Sequence, residues 1–268
     1  MSPNRQAGRV ALVTGAAHGI GFAIARRLGR EGARIVICDI DPQGANAASA
    51  ELRREGIEVL AQVADVRIPA ETDRVAAAAV AKFGVVDIVV CNAGLVSGDV
   101  IETMSDAQWD LVLDVSLRGA FNMLRSAAHA LLAKQERSYH RKVLIISSVA
   151  GVYGGMTVNY SAAKSGQIGF AKALAREWAD KQVNVNVIAP GRIVGTRIGM
   201  SSDRTKDGPD VASPVPKVEI PIGREGVPED IAAAAAFLVS DEADFITAQV
   251  LEVHGGLSVV PKPPASLA

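Results

Sequence analysis

Short runs of β-branched and apolar residues alternate along the chain with longer, alanine-rich stretches of helical period. The runs are Arg9–Thr14, Arg34–Cys38, Glu58–Val63, Val86–Cys91, Val143–Ser147, Val183–Ile188 and Gln249–Val253. Most are apolar almost without interruption, as parallel strands covered on both faces must be. Between them the spacing predicts helices over 19–31, 42–55, 70–83, 106–133, 158–180 and 228–239. Strand alternating with helix implies crossover units, and so an α/β fold: a single doubly wound parallel sheet of about seven strands with helices on both faces.

No linker divides the chain, so 1–268 is expected to form one dinucleotide-binding and catalytic domain. Two segments break the rhythm. Lys134–Lys142 is strongly charged and reads as an exposed helix end and loop. Gly195–Pro221, rich in Gly, Ser, Pro and charge, reads as a long substrate loop, a length that is uncommon without a binding role. The tail 261–268, with three prolines among its residues, reads as frayed.

Composition narrows the classes. A net charge of −1 over 268 residues suggests neither a nucleic-acid surface nor a polybasic membrane patch. No apolar run approaches the roughly 20 residues of a membrane-spanning helix. Cys38 and Cys91 each sit in or beside an apolar run and read as buried thiols. The four histidines (His18, His129, His140 and His254) are scattered without metal-ligand spacing. The expectation is a soluble cytoplasmic protein with no metal.

The first strand runs into Thr14-Gly15-Ala16-Ala17-His18-Gly19-Ile20-Gly21, and a helix follows. Gly15 suits a sharp turn off the strand, Gly19 a close backbone approach to a pyrophosphate, and Gly21 tight packing of helix on sheet. The helix N-terminus then offers N–H groups to phosphates. Residues Gly15, His18, Gly19, Ile20 and Gly21 are therefore candidates to hold a dinucleotide. Asp39 follows the second strand. A carboxylate there accepts from an adenosine ribose 2′-hydroxyl and repels a 2′-phosphate, which favours NAD(H) over NADP(H); the competing reading is that Asp39 or Asp41 caps the next helix.

Tyr160 and Lys164 stand four residues apart on a predicted helix and so share a face. A cation beside a phenol favours the phenolate, pulling its pKa down from about 10 and making a proton donor and acceptor that works near neutral pH. Ser147 and Ser148 end the strand before it.

Taken in order, Thr14–Gly21, Asp65-Val66, Asn92-Ala93-Gly94, Ser147-Ser148, Tyr160–Lys164, Pro190-Gly191 and Gly255-Gly256 resemble the short-chain dehydrogenases/reductases, a Rossmann-type family, over about residues 9–257. The context Val158–Lys164 and the ending Ile246–Gly256 look most like 3-oxoacyl-carrier-protein reductases and secondary-alcohol dehydrogenases. The resemblance implies that Asp65 accepts from the adenine amino group with Val66 beside it. It implies that Asn92, Ala93 and Gly94 line the cofactor, that Pro190, Gly191 and Ile193 lie by the nicotinamide, and that Thr196 reaches the carboxamide. Tyr160 would be the acid/base, Lys164 would stabilise its phenolate and bind the nicotinamide ribose, and a serine would donate to the substrate oxygen. The local Ser-x-x-Gly motif ending at Gly151 selects Ser148, whereas the family's usual spacing back from Tyr160 selects Ser147; Ser148 is expected to be the donor, because a loop such as Gly151–Asn159 absorbs a one-residue deletion more readily than a strand end does. At 116, where the family commonly has an asparagine that anchors a relay water, this chain has serine.

The implied activity is NAD(H)-dependent interconversion of a secondary alcohol and a ketone, with 3-oxoacyl-thioester reduction as the alternative and a catalytically weak dinucleotide-binding regulator as the remote one. The substrate is a small carbonyl or alcohol. Its pocket is expected from Leu95–Val100, Gly151–Thr157 and the loop Gly195–Pro221, with Met156, Ile193, Ile198 and Met200 as its apolar wall. Family members are commonly homotetramers, and the alanine-rich faces at 120–132 and 162–175 and the run Leu257–Val260 fit that state.

Overall fold

A computed structural model describes residues 4–133, 139–196 and 220–257. Their strands are β1 (Val10–Thr14), β2 (Arg34–Asp39), β3 (Val59–Val63), β4 (Ile88–Cys91), β5 (Arg141–Ile146), β6 (Val183–Pro190) and β7 (Val250–Val253). All pair in parallel, in the spatial order β3-β2-β1-β4-β5-β6-β7. The helices are α1 (Gly19–Arg30), α2 (Pro42–Arg54), α3 (Pro69–Phe83), α4 (Asp106–Leu113), α5 (Gly119–Leu132), α6 (Val149–Tyr153), α7 (Val158–Trp178) and α8 (Pro228–Leu238).

The strand sequences fix which face meets which helix. In β1, Ala11 and Val13 pack into one core with Ile24 and Leu28 of α1, Leu52 of α2 and Ile231 of α8. Val10 and Leu12 point the other way, into a core with Val75 of α3, Met123 and Leu124 of α5 and Leu174 of α7. Burying a Val or Leu side chain is worth about 1.5–3 kcal/mol, and a one-residue slip would exchange both faces. The chain leaves β1 for β2 and β3 on one side and returns to β4 on the other. A crevice therefore opens beyond the carboxyl ends of β1 and β4, the place where open α/β sheets bind ligands.

Three expectations need correction. The predicted helix 106–133 is two helices joined by a π-helical turn, Asp114–Arg118, because the buried Ser116 there is held from outside: its carbonyl accepts from Gln167 Nε2 at 2.8 Å. The stretch after Ser148 is not wholly loop but contains α6, whose first turn Ser148 caps by accepting from Ala150 N at 3.1 Å. The charged run Lys134–Lys142 is not all exposed. Arg141 and Lys142 open β5, with Lys142 only 1% accessible. Both charges have partners distant in sequence: Arg141 lies 3.9 Å from Asp87 and donates to the Leu131 and Ala133 carbonyls, and Lys142 donates to Asn184 Oδ1 at 2.9 Å and pairs with Asp244. Residues 134–138, 197–219 and 258–268 lie outside the described residues, Ile198 and Met200 with them.

Candidate active site

The loop after β1 is built on glycines whose replacement would strain or block it. Gly15 has φ +62° and Gly19 φ +56°, backbone that strains any L side chain. A Cβ at Gly21 would stand 2.2 Å from the Gly15 carbonyl and 2.5 Å from Asn92 Nδ2. No side chain caps α1, so its N-terminal turn faces the crevice with its N–H dipoles. Asn92 ties the loop to β4: its Nδ2 donates to the Thr14 and Gly15 carbonyls, both at 3.0 Å, while Thr14 Oγ1 accepts from Asn92 N and Ala93 N, also at 3.0 Å.

A cleft of about 480 Å³ follows, lined by Gly15, His18, Gly19, Ile20, Asp39, Asp65, Val66, Asn92, Ala93, Gly94 and Thr196, and also by Cys38, Ile40 and Arg67. The glycine cradle, the uncapped helix end and an acid at its rim fit a dinucleotide.

Asp39 and Asp41 separate in role. Asp41 is the cap of α2, accepting from Gln43 N and Gly44 N at 3.1 and 3.0 Å. Asp39 instead takes Ala17 N at 2.9 Å and Asp41 N at 3.0 Å, one on each oxygen, and keeps its outer edge toward the cleft. Asp65 is not an open acceptor. Arg67, which sequence reasoning missed, grips both its oxygens at 2.6–3.0 Å and holds its carboxyl below the usual range, chiefly through those hydrogen bonds. An arginine two residues after a strand-end aspartate was the available signal.

The predicted residues that do not line this cleft have evident other duties. Gly21 packs α1 on the loop. Gly191 lets β6 approach β7, since a Cβ there would stand 2.5 Å from His254 Cβ. Pro190 is the buried end of β6, in register with Val253. Ile193 is buried in the α1–α8 core over Gly226, which removes it from the expected apolar wall as well. Met156 is 62% accessible with φ +59°.

Tyr160 and Lys164 stand behind the Gly94–Val96 wall of the cleft, on the first turns of α7. Tyr160 is buried with Val112, Ala150 and Ala163 and touches the Leu95–Val96 stretch of the cleft wall. Lys164 Nζ lies 5.6 Å from the Tyr160 ring centre, donates to the Ile146 carbonyl at 2.9 Å, and comes within 3.3 Å of where a Cβ on Gly94 would be. The two serines diverge. Ser147 Oγ donates to the Lys164 carbonyl at 2.8 Å, anchoring α7. Ser148 faces the Tyr160 phenol, as its influence on that group records.

One electrostatic expectation is overturned in this structure. Burial pushes the Tyr160 phenol above its ordinary pKa, with the Ser148 hydroxyl acting in the opposite sense. Burial also pushes Lys164 down, to about 8. Sequence reasoning also passed over Asn159, wholly buried before the tyrosine. Its Nδ2 donates to the Ser97 and Gln108 carbonyls at 2.8 and 2.9 Å, and its Oδ1 accepts from Tyr160 N at 2.8 Å, so it sets the start of α7 against the cleft wall. Among the described residues no group of His, Cys, Asp and Glu could hold a metal ion.

The family model described as enoyl-(acyl carrier protein) reductase matches residues 15–258. The 3-oxoacyl-[acyl-carrier-protein] reductase FabG of Escherichia coli is 38% identical over 94% of this chain and 98% of its own length. That of Thermotoga maritima is 34% identical over 95% and 100%. A 3-ketoacyl-(acyl-carrier-protein) reductase from Brucella melitensis, solved in complex with NADH, superimposes with a TM-score of 0.84 at 32% identity, covering 95% of this chain and 100% of that one. A short-chain dehydrogenase/reductase structure from Burkholderia xenovorans gives 0.87 at 34%, over 97% and 100%.

Proposed function

Because the chain belongs to the short-chain dehydrogenase/reductase family and is an oxidoreductase of that kind, we propose that it reduces the keto group of a 3-oxoacyl thioester, with NAD(H) as the preferred cofactor. The carrying observation is Tyr160 and Lys164 behind the Gly94–Val96 wall of a glycine-cradled cleft, with Ser148 acting on the phenol. Similarity over nearly the full length to 3-oxoacyl-carrier-protein reductases moves the thioester ahead of the simple secondary alcohol, which sequence reasoning had placed first. In this reading 1–268 acts as one domain, as a soluble cytoplasmic homotetramer.

A bound nicotinamide supplies the hydride. Gly15, Gly19, Ile20 and the α1 N-terminus would hold the pyrophosphate, and Asp39 would receive the adenosine ribose. Its negative charge disfavours a 2′-phosphate; Arg67, the guanidinium on the cleft wall, is neutralised by Asp65 and offers no compensating cation. Thr196, against Gly19 in the cleft wall, would be the residue to hold the carboxamide. Tyr160 donates its proton to the ketone oxygen as negative charge develops there, and Ser148 donates a hydrogen bond to the same oxygen. The raised phenol suits this direction, since Tyr160 stays protonated at neutral pH. Lys164 then stabilises the phenolate left behind.

The test is a panel of 3-oxoacyl thioesters and simple ketones, each assayed with NADH and NADPH by nicotinamide absorbance. Turnover of the thioesters with NADH supports the proposal; turnover of simple ketones alone restores the secondary-alcohol reading.

A further inference from the structure

Of the two acids that line the cleft, Asp39 and Asp65, the second has every acceptor taken. Asp65 Oδ1 accepts from Arg67 N at 2.9 Å and from Arg67 Nε at 3.0 Å; its Oδ2 accepts from the same Nε at 2.9 Å and from Nη2 at 2.6 Å. A carboxylate offers about four lone-pair sites, so this one keeps none for a ligand. The carbonyls around it are engaged as well. That of Asp65 accepts from Ile68 N at 3.0 Å, and those of Val66 and Arg67 both accept from Asn122 Nδ2, at 2.9 and 3.1 Å.

Neighbouring elements hold this arrangement in place. Glu71 of α3 accepts from Asp65 N at 2.7 Å. Asn122 of α5, itself buried, pins the next two residues through their carbonyls. A Cβ on Gly119 would stand 2.5 Å from Val66 Cγ2, so the backbone of α5 presses on the same loop. Asp65 and Arg67 are separated by a single residue on this fixed backbone, so their pairing orders little besides the arginine side chain. The guanidinium reaches both carboxylate oxygens with charge-assisted bonds, whereas a neutral amino group could replace it at only one.

In the dinucleotide reading, on which this inference rests, the glycine loop takes the pyrophosphate and Asp39 the ribose, so the base would lie on the far side of Asp39 from that loop. The cleft wall there is Cys38, Ile40, Ala64 and Val66, with Asp65 and Arg67 among them. Ala64 N donates to the Asp39 carbonyl at 2.9 Å, which sets this wall directly beside the ribose acid. Ile40 is 60% accessible, an apolar side chain left uncovered at the rim. We propose that Arg67 is a specificity-determining residue: by saturating Asp65 it makes the base subsite blind to the amino group of adenine, and a purine is held by its faces on the apolar wall. The contact that the family resemblance implies for Asp65 is thereby closed, and selection of the cofactor falls on its ribose and phosphates.

Calorimetric binding tests this without turnover. ADP-ribose is compared with its analogue in which unsubstituted purine replaces adenine, a change that deletes only the amino group. The parent protein should bind the two within about twofold of each other. Arg67→Met removes the guanidinium and frees the Asp65 oxygens; in that variant the analogue should bind about tenfold more weakly than ADP-ribose, the size of one hydrogen bond to a charged group. Adding Asp65→Ala to Arg67→Met should bring the two ligands back within about twofold. A parent protein that binds ADP-ribose tighter than the analogue by about fivefold or more overturns the proposal, and this comparison stands whether or not the variants fold. An Arg67→Met protein with an intact melting transition that still binds both ligands alike overturns it too. Binding of neither ligand to the parent refutes the dinucleotide reading itself, and this inference with it.

Discussion

Replacing Asp39 by asparagine removes one charge from the rim of the cleft and one of the two acceptors it offers the backbone. Each carboxylate oxygen accepts one backbone N–H, from Ala17 and from Asp41. Asparagine keeps one acceptor and turns an NH₂ toward the other N–H, which costs about 1–3 kcal/mol of stability and should lower the melting temperature by a few degrees. The gain falls on the phosphorylated cofactor. Two unit charges about 5 Å apart in an effective dielectric of about 20 repel by about 3 kcal/mol. Screening over a Debye length of about 8 Å leaves roughly half of that. The ratio of kcat/KM for NADPH to that for NADH should therefore rise about tenfold in Asp39→Asn, and the rise should shrink as salt is added. Initial rates with each cofactor at two ionic strengths measure it. An unchanged ratio, or a parent enzyme that already prefers NADPH, refutes the electrostatic argument for Asp39.

Tyr160→Phe should lower kcat about 10²–10⁴-fold while cofactor binding, followed by fluorescence titration, persists. Ser148→Ala should lower kcat about 10²-fold or more and also cost about 1 kcal/mol through its lost cap, whereas Ser147→Ala should chiefly cost stability; the reverse ranking in kcat would exchange their roles. Gly21→Ala should abolish cofactor binding and lower the denaturation midpoint, because its methyl overlaps the Gly15 carbonyl and displaces Asn92. Burial pushes the Cys38 and Cys91 thiols up to about 12 from an ordinary 9.0. Folded thiols therefore stay protonated where unfolded ones ionise, so stability is complete below pH 9 and is lost as pH rises toward 12. Cys91→Ala should flatten that slope in denaturant titrations, and an unchanged slope would show that other groups set it.

Local pattern carried most of the frame. Buried parallel strands read as unbroken apolar runs, and the cradle and the Tyr–Lys pair are contiguous or one turn apart. What escaped was whatever depends on residues far away in the chain. Arg141 and Lys142 look solvated until Asp87, Asn184 and Asp244 arrive from other elements to neutralise them. The π turn reads as plain helix because its cause, Gln167, lies on α7. Asp65 looks available because helical and strand periodicity say nothing of where Arg67 folds back. The phenol was misjudged for the same reason: spacing shows that a lysine is near, while the degree of burial that lifts the tyrosine and lowers the lysine belongs to the assembled core.

Asn92 and Thr14 span the gap where the sheet changes direction, with four hydrogen bonds made entirely by the protein. The width of the crevice is therefore set during folding, before any ligand arrives. An incoming dinucleotide meets a cradle whose ordering entropy has already been spent, so its affinity keeps the contact energy that a floppy glycine loop would consume. The same staple makes the amide of residue 92 a control on binding that never has to touch the ligand.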